Sequence, residues 1–270
     1  MRSLLVIGIG MGEAGHLTFR AAEAIARADL FLLLDKGEAA QPLVARRAAL
    51  IARFGKPGHR LVELASPRRV RPALPGDGEK EAGESEVGRA AYRASVAAWH
   101  GERAALFARV IRDMQPDETA ALLVWGDPML YDSTLRVTEA AADVLAAQGH
   151  EGFALEVEPG LTALQLLCAA HRIPLNGVGA PVLLTTGRRV AEETPDAPAF
   201  AVLLDDGTGL AALHARGWAG EVFWAANLGT QDERLLAGPL PAVAATIRAA
   251  RAAVKVRAGW VMDVWLARAG

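Results

Sequence analysis

Short apolar runs, each stopped by a glycine or proline turn and followed by a stretch of helical spacing, narrow the fold of this chain to one class. Leu4 to Ile9 is aliphatic and runs into Gly8-Ile9-Gly10-Met11-Gly12. Leu17 to Ala28 then has helical periodicity. A second run, Leu30-Phe31-Leu32-Leu33-Leu34, is closed by Asp35-Lys36-Gly37. Thr119 to Trp125 ends in Gly126-Asp127-Pro128, and Ala154 to Val157 in Glu158-Pro159-Gly160. Runs that are apolar on both faces suit parallel strands covered by helices. Strand and helix alternate, which predicts an α/β fold with right-handed crossovers.

Helices are expected at Leu43 to Phe54, Val87 to Asp113, Thr134 to Ala147 and Leu161 to His171, with a short strand at Leu61 to Leu64. After Ile173-Pro174 a second α/β unit is expected. Its strands are placed at Val182 to Thr185, Ala199 to Leu204, Glu221 to Ala225 and Gly259 to Leu266, and its helices at Gly209 to Arg216 and Pro241 to Arg251. The predicted domains are therefore 1–173 and 174–270, each with a mostly parallel or mixed sheet. Ser66 to Glu86, rich in proline, glycine and charge, reads as a long mobile loop.

Composition excludes several classes. Hydrophobic residues make up 52% and the net charge is −2, so neither disorder nor whole-chain attraction to nucleic acid or an anionic membrane is expected. No apolar run reaches the ~18 residues needed to span a bilayer. The one cysteine, Cys168, sits in an apolar helical run and excludes an internal disulfide. A buried, inert thiol and a cytoplasmic protein are expected. His16, His59, His150 and His214 have no ligand-like spacing and are expected at the surface, with no metal site.

Chemistry concentrates at the strand ends. The turn Gly8 to Gly12 lets backbone approach a ligand closely. The dinucleotide fingerprint needs glycine where Glu13 stands, and the phosphate-cradling pattern needs lysine where His16 stands. Asp127 follows a buried strand, where open α/β sheets bind ligands; it either accepts from a ligand or caps a helix. Thr162 is expected as a helix N-cap beside a ligand.

Together these loops resemble the tetrapyrrole methylases, the S-adenosylmethionine enzymes of corrin and sirohaem synthesis. The family's G-x-G-P-G-D…L-T reads here Gly8-Ile9-Gly10-Met11-Gly12-Glu13 then Leu17-Thr18, with Met11 and Glu13 in place of Pro and Asp. Gly126 to Tyr131 matches G-D-P-x-x-Y, Pro159 to Ala163 matches P-G-[VIL]-[ST]-[AS], and Ile173-Pro174-Leu175 matches I-P-L. Thr185-Thr186-Gly187-Arg188 is similar to T-G-H with the histidine lost, and Ala226 to Thr230 to the late donor-site motif. Leu34 to Gly37, the arginine-bearing insertion, Trp99-His100 and Leu204-Asp205-Asp206 resemble the branch that methylates a corrin precursor at C-1 and removes an acetyl group.

The resemblance implies two α/β domains with a ligand cleft between them and a homodimer. It implies S-adenosylmethionine as donor, contacted by Gly10, Met11, Gly12, Trp125, Gly126, Asp127, Leu130, Tyr131, Thr162, Ala163, Leu204, Asp205, Asn227 and Leu228. The implied acceptor is precorrin-5. Its carboxylates would meet Arg68, Arg69 and Arg71, or that loop is solvated surface. For deacetylation, Asp35 is the first candidate base, with Lys36 as electrostatic partner, or else a structural cap; Tyr131, His100 and Asp206 follow as weaker candidates. The other readings are a family methylase acting at a different ring carbon, a nucleotide-dependent oxidoreductase, and a non-catalytic binding protein.

Overall fold

A computed structural model describes residues 1–35, 41–67 and 86–269, without the side chains of Asp35 and of residues 86–89. Lys36, Arg68, Arg69 and Arg71 lie outside the described residues, as does most of the expected Ser66 to Glu86 loop. The chain divides into two compact units. The first holds 1–8, 18–124 and 132–159; the second holds 9–17, 125–131 and 160–270. The second unit runs unbroken from Gly160 and also takes the two segments after the first and fourth strands.

The first unit is built on β1 (Ser3–Gly8), β2 (Leu30–Asp35), β3 (Arg60–Ala65), β4 (Thr119–Val124) and β5 (Ala154–Glu158). They form one sheet in the order β3-β2-β4-β1-β5, every pair parallel. Its helices are α1 (Phe19–Arg27), α2 (Gln41–Phe54), α3 (Glu86–Asp113) and α4 (Thr134–Ala147). Leu4, Leu30, Leu32 and Leu122 pack on Phe107, Ile111 and Val137 of α3 and α4 in one buried cluster. Burial of both sheet faces explains the unbroken apolar runs. Thr18 starts α1 by accepting from Ala21 N at 3.0 Å, so the threonine of the first motif is a helix cap. Gly8, Val124 and Glu158 end the adjacent strands β1, β4 and β5 in register: Gly8 pairs with Val124, and Ile7 with Glu158.

The second unit carries α5 (Ala163–His171), β6 (Leu183–Thr186), α6 (Gly187–Glu192), β7 (Ala199–Leu203), α7 (Thr208–Ala215), β8 (Glu221–Ala226), β9 (Arg234–Pro239), α8 (Leu240–Ala258) and β10 (Asp263–Arg268). Its sheet is mixed, in the order β6-β7-β10-β8-β9. Only β6 and β7 pair in parallel; β10 runs antiparallel to β7 and β8, and β9 antiparallel to β8. Alternate residues divide the two faces. Phe200, Val202, Trp224 and Trp265 meet α7 and α8, while Ala201, Phe223, Ala225 and Leu266 meet α5.

Two elements escape the sequence pattern. The helix α6 has six residues, too few for periodicity to register. The edge strand β9 is mostly exposed and ends in Gly238-Pro239, which reads as a turn; proline is tolerated at an edge strand. The helix α8 runs past the expected Arg251 and stops where Gly259 takes φ +76°, so that glycine caps a helix instead of opening a strand.

Candidate functional site

The segments after β1, β4 and β5 lock together within the second unit. Gly10 N donates to Gly126 O at 3.2 Å and Gly126 N returns a bond to Gly10 O at 2.6 Å. Gly12 lies so close to Trp125 that a Cβ would stand 2.2 Å from its ring, and Gly12 has φ +74°. Only glycine meets both demands at low cost. Asp127 is 8% exposed, and its carboxylate ties two turns: Oδ1 accepts from Met129 N at 2.8 Å and Oδ2 from Gly160 N at 2.9 Å. Of the two readings of Asp127, the structure has the carboxylate bound to backbone.

Thr162 caps α5 in a reciprocal box. Gln165 N donates to Thr162 Oγ1 at 3.3 Å, while Thr162 N donates to Gln165 Oε1 at 2.8 Å. Asn227 is fully buried at φ +48°. Its Oδ1 accepts from Met262 N at 2.9 Å, and its Nδ2 donates to Trp260 O at 3.4 Å. The side chain therefore fixes the loop, and backbone and Leu228 remain to meet a ligand.

One apolar cluster gathers Met11, Trp125, Leu130, Ala163 and Leu228, together with Leu203 and Leu164. These residues come from five separate segments, and five of them are among the expected donor contacts. Leu204 and Tyr131 are held at φ +54° and +52°, unusual for bulky side chains, and both are exposed. At Gly126, φ is +65° and a Cβ would meet only Leu161 O, at 4.0 Å, which leaves room for a ligand beside the backbone. Apolar side chains, open glycine backbone and two left-handed residues fit a ligand with an apolar ring and polar edges.

Asp205 stands apart from that cluster. It is 6% exposed, and both oxygens are taken: Oδ1 by Gly207 N and Gly209 N at 3.0 Å, Oδ2 by Leu210 N at 3.1 Å and Trp265 Nε1 at 3.0 Å. It lines a cavity of about 610 Å³ with Trp224 and Ile247, on the α7/α8 face of the sheet, opposite the face that holds Met11. Gly187 of the Thr186-Gly187 motif leaves room for this carboxylate, since a Cβ there would stand 2.3 Å from Asp205 Oδ1. Asp206 likewise caps α7, accepting from Thr208 N at 3.0 Å.

His16 corrects the expectation of a surface histidine. Its side chain is 17% exposed and wedged between two glycines: a Cβ on Gly229 would stand 2.2 Å from His16 Cε1, and one on Gly10 2.6 Å from His16 Cβ. Its Nδ1 is buried with no hydrogen-bond partner. A lone histidine after a glycine turn carries no sequence signal for this, because the glycine that receives it is over two hundred residues away. His150 and His214 are exposed, and His59 is half-buried against Phe31 at 5.4 Å. Cys168 is half-buried rather than fully buried, and burial pushes its thiol pKa up, which keeps it protonated.

In the first unit, Asp35 is the last residue of β2 and pairs with Ala65. Pro67, the residue before Arg68, accepts from Trp99 Nε1 at 2.8 Å. Among the described residues no group of three or more His, Cys, Asp or Glu is placed to hold a metal ion, and no helix is long and apolar enough to cross a membrane.

Residues 3–244 match the family model of the Tetrapyrrole (Corrin/Porphyrin) Methylases. The chain belongs to that family. A curated relative from Sinorhizobium sp., "Precorrin-6A synthase [deacetylating]", is 38% identical over the whole of this chain and 96% of its own length. A cobalamin synthesis related protein (CobF) of Corynebacterium diphtheriae has a solved structure that superposes with a TM-score of 0.77 at 30% identity, covering 100% of this methylase and 99% of that chain. The uroporphyrin-III-C-methyltransferase of Thermus thermophilus shares the fold, with a TM-score of 0.60 at 19% identity over 99% and 94% of the two chains.

Proposed function

We propose that this methylase transfers a methyl group from S-adenosylmethionine to C-1 of precorrin-5 and releases the C-1 acetyl group as acetate. The observation that carries the reading is the end-to-end 38% identity with the deacetylating precorrin-6A synthase of Sinorhizobium. The interlocked loops of the second unit support it. When bound, S-adenosylmethionine supplies an electrophilic methyl group. Met11, Trp125, Leu130, Ala163 and Leu228 give an apolar wall that keeps water from the transfer. The backbone at Gly10, Gly12 and Gly126, with Tyr131 and Leu204, orients the donor. Asp127, Thr162, Asp205 and Asn227 act through the turns they hold, and no side-chain nucleophile is needed.

Deacetylation needs a water molecule to add to the acetyl carbonyl. The C–C bond to C-1 then breaks, acetate leaves, and the electron pair stays on C-1 to take the methyl group. In this reading Asp35 accepts the proton of that water, Lys36 offsets charge, and Tyr131 is a further catalytic residue. Arg68, Arg69 and Arg71 bind substrate carboxylates. The reading includes a cytoplasmic homodimer, which light scattering on the purified protein and fractionation of the source cell would check.

Mass spectrometry of the product from precorrin-5 and labelled donor tests the whole scheme. A product that has gained a methyl and lost an acetyl group, with an equivalent of acetate, is expected. Methylation with the acetyl group retained would move the enzyme to another ring carbon of the family's chemistry. Asp35→Asn should slow acetate release about 10²- to 10⁴-fold, the usual span for a general base.

A further inference from the structure

Among the described residues of the first unit, one buried cation has no carboxylate in contact with it. Arg103 of α3 is 4% exposed, so a permanently charged guanidinium sits almost wholly out of water. Its Nη1 donates to Ser133 Oγ at 3.1 Å. Its planar group lies over the rings of Trp99 and Phe107, 4.7 and 5.8 Å from their centroids. None of these contacts is an anion. Nε is buried with no hydrogen-bond partner. With Nη1 taken by Ser133, the Nε–Nη2 edge remains, the side-on edge that matches a carboxylate.

More positive charge surrounds it. Arg47 of α2 donates Nε to Leu123 O at 2.8 Å, at the carboxyl end of β4, and burial brings its pKa down to about 10. His100, one turn before Arg103, is held below its ordinary pKa by burial and by the charges of Arg103 and Arg136. Asp132 is the carboxylate whose charge acts on Arg47, His100 and Arg103 alike. Its Oδ1 already accepts from Thr134 N at 2.6 Å. Buried charges are stable when paired, and Arg103 bonds to a hydroxyl rather than to a carboxylate. Leu123 and Ser133 lie at the carboxyl end of the parallel sheet, where open α/β sheets take ligands.

We propose that Arg103 is a carboxylate-binding site of the first unit that receives an acidic side chain of the tetrapyrrole substrate. The assignment rests on the reading that the acceptor is a polycarboxylate tetrapyrrole. It also accounts for a charged residue in a position where a methionine of similar reach would pack without desolvating a cation.

The test compares the wild type with Arg103→Met and Arg103→Lys. In Arg103→Met the KM for the tetrapyrrole should rise about tenfold to a hundredfold, the loss expected for a charged hydrogen-bonding group. The affinity for S-adenosylhomocysteine should not move, and the melting temperature of the unliganded protein should not fall. Arg103→Lys keeps charge without the fork and should give an intermediate KM; it also serves if the methionine variant does not fold. Thermal shifts with uroporphyrin, a stable tetrapyrrole polycarboxylate, and with inorganic phosphate read binding without turnover. A shift by uroporphyrin in the wild type that is lost in Arg103→Met supports the site, even if precorrin-5 proves not to be the substrate. Equal uroporphyrin shifts and an equal KM in wild type and variants overturn it. An Arg103-dependent shift with phosphate and none with the tetrapyrrole overturns it in favour of an inorganic-anion site.

Discussion

The glycine-loop region of the second unit and the arginine region of the first solve the problem of buried polarity in opposite ways. Around Asp127, Thr162, Asp205 and Asn227, acceptors meet backbone donors at 2.8–3.3 Å. Around Arg103, a buried charge meets a hydroxyl and two aromatic faces, and one nitrogen has no partner. In the first region these four side chains shape turns, and the ligand is left to apolar groups, open backbone and His16, whose buried Nδ1 has no hydrogen-bond partner. The second is completed only by something negative. Polar residues at strand ends therefore do not share one role, and the state of their hydrogen bonds separates scaffold from recognition.

Asp205→Ala should have the largest effect. It strips an acceptor from three backbone amides and the Trp265 indole, all at 3.0–3.1 Å. At ~1–3 kcal/mol for each buried donor left unsatisfied, the loss should exceed ~3 kcal/mol in chemical denaturation. A stable Asp205→Ala protein that had lost only donor binding would erase the contrast drawn here.

Gly12→Ala comes next. The positive φ costs about 1–2 kcal/mol in an L-residue, and displacing the Trp125 ring adds to it. Affinity for S-adenosylhomocysteine should fall with stability, because Trp125 is part of the apolar wall; calorimetry reads the first and melting the second.

Asp127→Ala should cost about 1–3 kcal/mol through the amides of Met129 and Gly160. Donor affinity should fall in parallel with melting temperature. Donor affinity lost at an unchanged melting temperature would make Asp127 a direct ligand contact and move it into the recognition class.

The smallest effect concerns pH. The pKa of His100 in the folded protein is lowered from 6.5. Above that value the ring is neutral folded and unfolded and contributes nothing. Below it the unfolded chain takes up a proton that the cationic cluster resists, so stability falls as pH drops. His100→Gln should flatten this acid limb of the melting curve, and a polycarboxylate bound at Arg103 should flatten it too.

Much of the fold can be read from local pattern. The runs at Leu4, Leu30 and Thr119 are β1, β2 and β4, because a strand covered on both faces leaves an unbroken apolar trace. The glycine turns mark the loops that interlock, since a positive φ beside a close backbone needs glycine wherever the partner lies. Short or exposed elements such as α6 and β9 leave too few apolar positions to count.

The amino-acid order by itself determined the alternation of strands and helices, the glycine loops and the match to a family, all properties of neighbours in the chain. Tertiary structure alone decided what each polar group does. Asp127 and Asp205 both follow buried strands, yet only the folded chain shows Asp127 tying Gly160 to Met129 and Asp205 capping α7 beneath Trp265. His16 gained its place from Gly229, and Arg103 its buried setting from Trp99, Phe107 and Ser133. A hydrogen bond forms within about 3 Å of space, and segments far apart in the chain enter that range only after the sheets have formed.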